Sequence, residues 1–180
     1  MNIIVANRRS KPENLRKKYG ADIAILDVTS KGEEPWIRFS PFWPHGNIPV
    51  PLSDEIVGVS VEGIWQALKV FETEDVDLSK LHITNMKGLK RTVRRLGEVK
   101  GHRAGVAGKR LLPYREAREM IYLPCYQWIL DNRLQRELSE LRQIALEKTL
   151  VLLDYQTNGD IGNLTTPLSH AALIKSYLEI

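Results

Sequence analysis

Ser60-Val61-Glu62-Gly63-Ile64-Trp65-Gln66-Ala67-Leu68-Lys69-Val70-Phe71 is the stretch on which the fold of this chain turns. At helical spacing Val61, Ile64, Trp65, Leu68 and Phe71 form an apolar stripe, while Glu62, Gln66 and Lys69 recur at i, i+4 and i+7 on another face. Ser60 suits an N-cap, because its hydroxyl can accept from a backbone amide of the first turn. Glu62 falls in that first turn, where the helix dipole favours a negative charge. An acid, an amide and a lysine thus stand in line beside a packed stripe. The pattern fits the wall of an active site and equally an ordinary solvated helix face.

Upstream, residues 2–6 and 22–28 are rich in Ile, Val and Leu and predict strands, with a short polar helix over 13–19 between them. A third short strand is expected at 36–39. Pro41, Pro44, Pro49 and Pro51 exclude a helix from 41–51 and mark it as a candidate binding loop. Downstream of the helix at 61–71, further helices are expected at 77–81, 86–96, 115–122 and 126–132, with Pro124 kinking or separating the last two. Residues 133–147 carry the clearest amphipathic pattern, with Leu134, Leu138, Leu141 and Ala145 inward. The Leu-Val-Leu-Leu run in 149–155 predicts a buried strand. Pro167 at the first position and Thr166 as cap predict a closing helix over 168–178. The layout is α+β, mainly helical with a small sheet.

A chain of 180 residues, 43% hydrophobic and 27% charged, is long enough for one substantial core. The expectation is a single domain over 1–180. No apolar run approaches the roughly 20 residues that span a bilayer, and the N-terminus lacks the layout of a signal peptide, so a cytoplasmic protein without a membrane partner is expected. Cys125 is the only cysteine, which excludes an internal disulfide and CxxC zinc sites. Its setting, Ile121-Tyr122-Leu123-Pro124-Cys125-Tyr126, predicts a buried structural thiol. His45, His82, His102 and His170 show no metal-ligand spacing, and His170 lies among apolar neighbours that suit a packing role. GxGxxG, GxxxxGK[ST] and GxSxG signatures are absent, and no cofactor or metal is expected.

The charge is unevenly placed. Residues 87–118 hold eleven Lys/Arg against Glu98 and Glu116, a net +9, whereas the rest of the chain carries −5. Lys87, Lys90, Arg91, Arg94 and Arg95 would share one face of the helix expected at 86–96. The run His102-Arg103-Ala104-Gly105-Val106-Ala107-Gly108-Lys109-Arg110 then offers glycines for close backbone approach to an anion, with cations beside them. A phosphate-bearing partner follows from this concentration. Asp154-Tyr155-Gln156-Thr157-Asn158-Gly159-Asp160-Ile161-Gly162-Asn163 follows the buried strand, a place where scaffolds present functional groups, although Asn-Gly and Asp are also plain turn formers.

Phe39-Ser40-Pro41-Phe42, followed by Ser60-Val61-Glu62 and Gln66-Ala67-Leu68-Lys69-Val70, resembles the YbiA-like, or NADAR, family, whose hallmarks are F-S-N-F and a helix S-x-E-H-x-x-Q-A-x-K-F. The likeness runs in order over 36–178, which leaves 1–35 as a strand–helix–strand addition. The resemblance implies a YbiA-like fold and an N-glycosidase, hydrolysing the bond between ribose C1 and nitrogen in a phosphorylated N-riboside or an ADP-ribosyl adduct. It makes Glu62 the key carboxylate and Asp160 the second. Gln66 and Lys69 would orient substrate, Trp65 or Trp43 would stack on a base, and Arg91, Arg95, Arg103, Lys109, Arg110 and Asn158 would complete the binding surface. Partners would be a phosphate-bearing small molecule or ADP-ribosylated nucleic acid. Three positions depart from the family pattern: Pro41 for its asparagine, Gly63 for its histidine and Ile161 for its tryptophan. Two other readings stand beside this one, a non-catalytic nucleic-acid-binding module using 87–110, and a nucleotide or ADP-ribose binder without turnover.

Overall fold

The computed structural model describes residues 1–179. In chain order the elements are β1 (Ile3–Asn7), α1 (Pro12–Tyr19), β2 (Ile23–Asp27), β3 (Ile48–Pro49), β4 (Val57–Gly58), α2 (Val61–Leu68), β5 (Lys69–Phe71), α3 (Val93–Leu96), β6 (Val99–Arg103), β7 (Leu111–Leu112), α4 (Tyr114–Ala117), α5 (Leu123–Arg133), α6 (Gln135–Glu147), β8 (Thr149–Asp154) and α7 (His170–Leu178). Single 3-10 turns lie at Trp36–Phe39 and Leu78–His82, and a wide π turn at Arg118–Tyr122 joins α4 to α5. The class is α+β, as the patterning predicts. Two compact units divide the chain, one built from 1–40 and 134–180 and the other from 41–133.

The first unit is organised around β8. Its Leu150, Val151 and Leu152 are completely buried because β8 lies between β1 and β2 in a parallel sheet of order β1-β8-β2. Ile3 pairs with Leu150 and Asn7 with Asp154 on one side, and Ile23 with Thr149 on the other. A strand covered in this way needs apolar residues on both faces, which is why its sequence runs Leu-Val-Leu-Leu without alternation. Helices α6 and α7 pack on β8. The strand–helix–strand segment expected as an addition therefore supplies two of the three strands of this sheet. Ala6, Leu15, Ile23 and Val151 form a buried cluster between α1 and the sheet.

The second unit holds a two-stranded β3-β4 pair and an antiparallel sheet of order β5-β6-β7. Its core includes Val61, Ile64, Ala67 and Leu68 of α2, with Leu81, Leu89, Leu112, Ile121 and Ile129. Several elements differ from the sequence-based expectation. Residues 36–39 form a 3-10 turn rather than a strand. The helix expected at 61–71 stops at Leu68, and Lys69 begins β5. The helix expected at 86–96 is reduced to its last turn, Val93–Leu96, because Met86 and Gly88 adopt left-handed backbone angles that a right-handed helix excludes. The shared face of Lys87, Lys90, Arg91, Arg94 and Arg95 therefore does not form. Pro124 interrupts nothing: the π turn immediately before it widens the helix where proline removes a donor and crowds the preceding turn. Ser169, not Thr166, caps α7, its hydroxyl accepting from the Ala172 amide at 3.2 Å. Among the described residues no helix is long and apolar enough to cross a membrane.

Candidate functional site

Helix α2 begins as its sequence dictates. Ser60 is extended, and its Oγ accepts from the Gly63 amide at 3.0 Å. What the stripe did not disclose is that the opposite side of the helix is covered too: Glu62 and Gln66 are 8% and 4% exposed. A solvated face is thereby ruled out, and the polar line belongs to the interior of the second unit. Gln66 Nε2 donates to Glu62 Oε1 at 2.9 Å, while Gln66 Oε1 accepts from the Arg91 amide at 3.0 Å. The amide group is thus fixed at both ends, and its orientation towards the carboxyl is set by the backbone of the 86–92 segment.

Burial raises the Glu62 pKa, an effect only partly offset by the Gln66 hydrogen bond and by the charges of Lys69 and Lys90. Lys69 shifts the opposite way: burial lowers its pKa, the Glu62 charge works against that, and Arg91 and Lys90 add to it. Acid and amine are both pushed towards their neutral forms, which brings their proton affinities closer together than in water. Pairs with converging proton affinities suit acid–base work, since either can exchange a proton at modest cost. Lys69 Nζ stands 5.9 Å from the Trp65 ring centroid and 5.9 Å from that of Phe71.

Trp65 is half-buried within an aromatic group. Its ring lies 3.8 Å from His102, 6.1 Å from Tyr114 and 5.8 Å from Tyr122 by centroids. His102 is held there because it pairs with Lys69 across the β5–β6 ladder. It is 1% exposed and neither ring nitrogen has a hydrogen-bond partner. Burial and the nearby Lys69 charge lower its pKa to about 3, so the ring is neutral. Sequence reasoning places Lys90 on a basic helix face and His102 at the head of the glycine-containing run, and names neither as a site residue; Lys90 lies 5.5 Å from the Phe42 ring. The alternation of 99–103 that would have marked β6 is obscured by Gly101. Its φ is 147°, and a Cβ there would stand 2.7 Å from the Leu112 carbonyl oxygen, so no side chain fits.

The remaining predicted residues separate into distinct roles. Arg91 is buried, and its guanidinium serves backbone carbonyls: Nη1 donates to Gln66 and Lys69, and Nη2 to Asp75 at 2.6 Å. It closes the carbonyl end of α2, where helical acceptors lack amide partners. Arg103 makes a fork with Asp75 at 3.0 and 2.6 Å and donates to the Lys109 carbonyl. Arg110 pairs with Glu116, and exposed Arg95 lies 3.8 Å from Glu74. Much of the basic segment is therefore neutralised within its own unit. Trp43 is half-buried in the proline-rich loop.

Asp160 and Asn158 belong to the first unit. Asp160 Oδ1 accepts from the Gly162 amide at 2.8 Å, and Asn158 Nδ2 donates to the Asn163 and Thr166 carbonyls. Both side chains organise the 155–169 loop. Cys125 is a buried thiol with its pKa raised to about 12 by burial, as its apolar setting predicts. Among the described residues no three His, Cys, Asp or Glu side chains gather to hold a metal.

The class defined by these features is an α+β protein in which one unit holds a buried carboxyl and amide, with a half-buried lysine and an aromatic cluster beside them. The chain belongs to the family described as Family of unknown function (DUF6939), which matches residues 7–174. No curated protein matches it.

Proposed function

We propose that the second unit carries a YbiA-like N-glycosidase site acting on a phosphorylated N-riboside or ADP-ribosyl adduct. The observation that supports this most is the burial of Glu62 with one hydrogen-bonding partner, Gln66, and with Lys69 close enough to influence its charge. Cleavage of a ribose C1–nitrogen bond develops positive charge on the sugar, which a desolvated carboxylate stabilises strongly. Glu62 in its charged form fits that role and takes the proton of the attacking water as the C1–O bond forms. Its raised pKa makes it a better base than an exposed glutamate. The departing nitrogen leaves with the bond pair and takes a proton from solvent, and Glu62 returns to solvent the proton it took from water. Lys69 and Lys90 offer positive charge for the substrate phosphate, and Trp65 a ring against which a base can stack.

Incubation with ribosylaminopyrimidine phosphates and with ADP-ribosylated guanosine tests the proposal. Base release is expected from one of them, and Glu62→Gln should slow it by at least about a hundredfold, the usual contribution of a positioned acid–base group. No release from any substrate, or equal release by the variant, overturns it. The pH profile should be a bell narrower than two unshifted groups would give. Its rising limb follows deprotonation of Glu62, displaced upwards from 4.5, and its falling limb follows loss of the Lys69 proton, displaced downwards from 10.5.

A further inference from the structure

The three parallel strands β1, β8 and β2 end together at Asn7, Asp154 and Asp27. Open parallel sheets bind ligands outside the carboxyl ends of their strands, where the connecting loops converge. A cavity of about 540 Å³ in the first unit opens beside the end of β1, at Asn7 and Thr157, and extends between β1 and helix α1 to Lys18 and Tyr19 in the last turn of that helix. Arg9, Lys11 and Lys18 contribute to its lining and no acidic residue does. None of the three cations has an ion-pair partner among the described residues. Arg8, by contrast, is paired with Asp27 at 2.7 Å.

The loop bearing Arg9 and Lys11 is fixed, and Lys18 is carried by the last turn of α1. Asn7 Oδ1 accepts from the Arg9 amide at 2.9 Å, and Asn7 Nδ2 donates to the Tyr155 carbonyl at 3.0 Å, which ties the loop to the chain leaving β8. Beneath the cations the lining turns apolar, with buried Leu15 and half-buried Tyr19. One wall is suited to an anion and another to a flat, weakly polar group. The volume falls within the range of about 300–1,000 Å³ typical of small-molecule sites and far exceeds that of a lone phosphate.

We propose that this cavity binds a nucleoside monophosphate, with Arg9 and Lys11 holding the phosphate at the end of β1 and the base resting against Leu15 and Tyr19, where Lys18 Nζ lies 4.9 Å from the Tyr19 ring centroid and adds positive charge. The site is built from the first unit alone and does not depend on the glycosidase proposal. The test is titration of the full chain with uridine 5′-monophosphate, followed by calorimetry and by the amide resonances of residues 7–19. Saturable binding with shifts in 7–19 is expected, with uridine and inorganic phosphate each binding at least about tenfold more weakly, since each lacks one of the two contacts. The exposed positions allow the triple variant Arg9→Gln, Lys11→Gln, Lys18→Gln to keep the fold, and its affinity should fall about a hundredfold or more. Glu62→Gln should leave the shifts in 7–19 unchanged, so loss of base release and loss of this binding are read separately. Unshifted 7–19 resonances, undiminished affinity in the triple variant, or phosphate binding as tightly as the nucleotide overturns the proposal. So does a single-stranded oligothymidylate that binds this surface more tightly than the mononucleotide, which would make it a nucleic-acid surface.

Discussion

A Cβ at position 63 would stand 2.6 Å from the Lys80 carbonyl oxygen and 2.9 Å from Ser60 Oγ. Both are fixed atoms, one by the backbone of the 3-10 turn and the other by its capping bond. Glycine is therefore required by space at the start of α2, and a larger side chain such as histidine has no room here. Two effects compete in Gly63→Ala. Helix propensity favours alanine by about 1 kcal/mol, while overpacking costs about 1–3 kcal/mol. The contact is well below van der Waals distance and involves backbone, so overpacking should win, and urea unfolding should show a net loss of about 1–2 kcal/mol. A variant as stable as wild type would mean that the turn at Lys80 yields. His102 teaches a related lesson, since its importance arises from burial without partners, a property that the letters Gly-His-Arg do not encode.

At the scale of elements, β8 and α7 are joined by a buried ionic contact. His170 Nδ1 lies 3.0 Å from Asp154 Oδ2, and Nε2 lies 2.8 Å from the Val28 carbonyl. A carbonyl accepts only, so Nε2 carries a proton, and a carboxylate facing Nδ1 calls for the second. Burial by itself would lower the His170 pKa, but the Asp154 charge, its hydrogen bond and the Val28 carbonyl outweigh it, and the net shift is upwards from 6.5. Burial likewise opposes ionisation of Asp154, while His170, Ser169 and the Ala171 amide outweigh it and hold the pKa below 3.8. The stabilisation from His170 is complete below its unfolded value and is lost as pH rises through the folded one. That from Asp154 is present above 3.8 and lost in acid. The pair thus contributes most between 3.8 and 6.5. His170→Ala should destabilise by about 3 kcal/mol at about pH 5, where it leaves a buried carboxylate alone, and by less at about pH 9. An equal loss at both pH values in denaturant titrations would refute the charged pairing.

On the scale of the whole molecule, the first unit is assembled from the two ends of the chain, with β8 inserted between two strands laid down at the start. Removing residues 1–35 would strip both neighbours from β8, leaving Leu150, Val151 and Leu152, now fully buried, at an open edge with unpaired backbone groups. Such a truncation should fail to fold its 134–180 segment, seen as loss of amide protection in β8 by hydrogen exchange. Native protection would show that those strands are dispensable. Local composition alone set much of what was foreseen: the Ser60 cap, the core faces of α2 and α6, the buried run of β8 and the inert thiol all follow from side-chain type and period within one segment. Pairing across more than a hundred residues, the end of α2 at Lys69, the left-handed backbone that shortens the helix at 86–96, and the capture of Arg91 by carbonyls depend on neighbours distant in the chain. Glu62 shows the division most clearly. Its place on a helix follows from spacing, but the shift in its proton affinity arises from desolvation, and only tertiary packing removes the water.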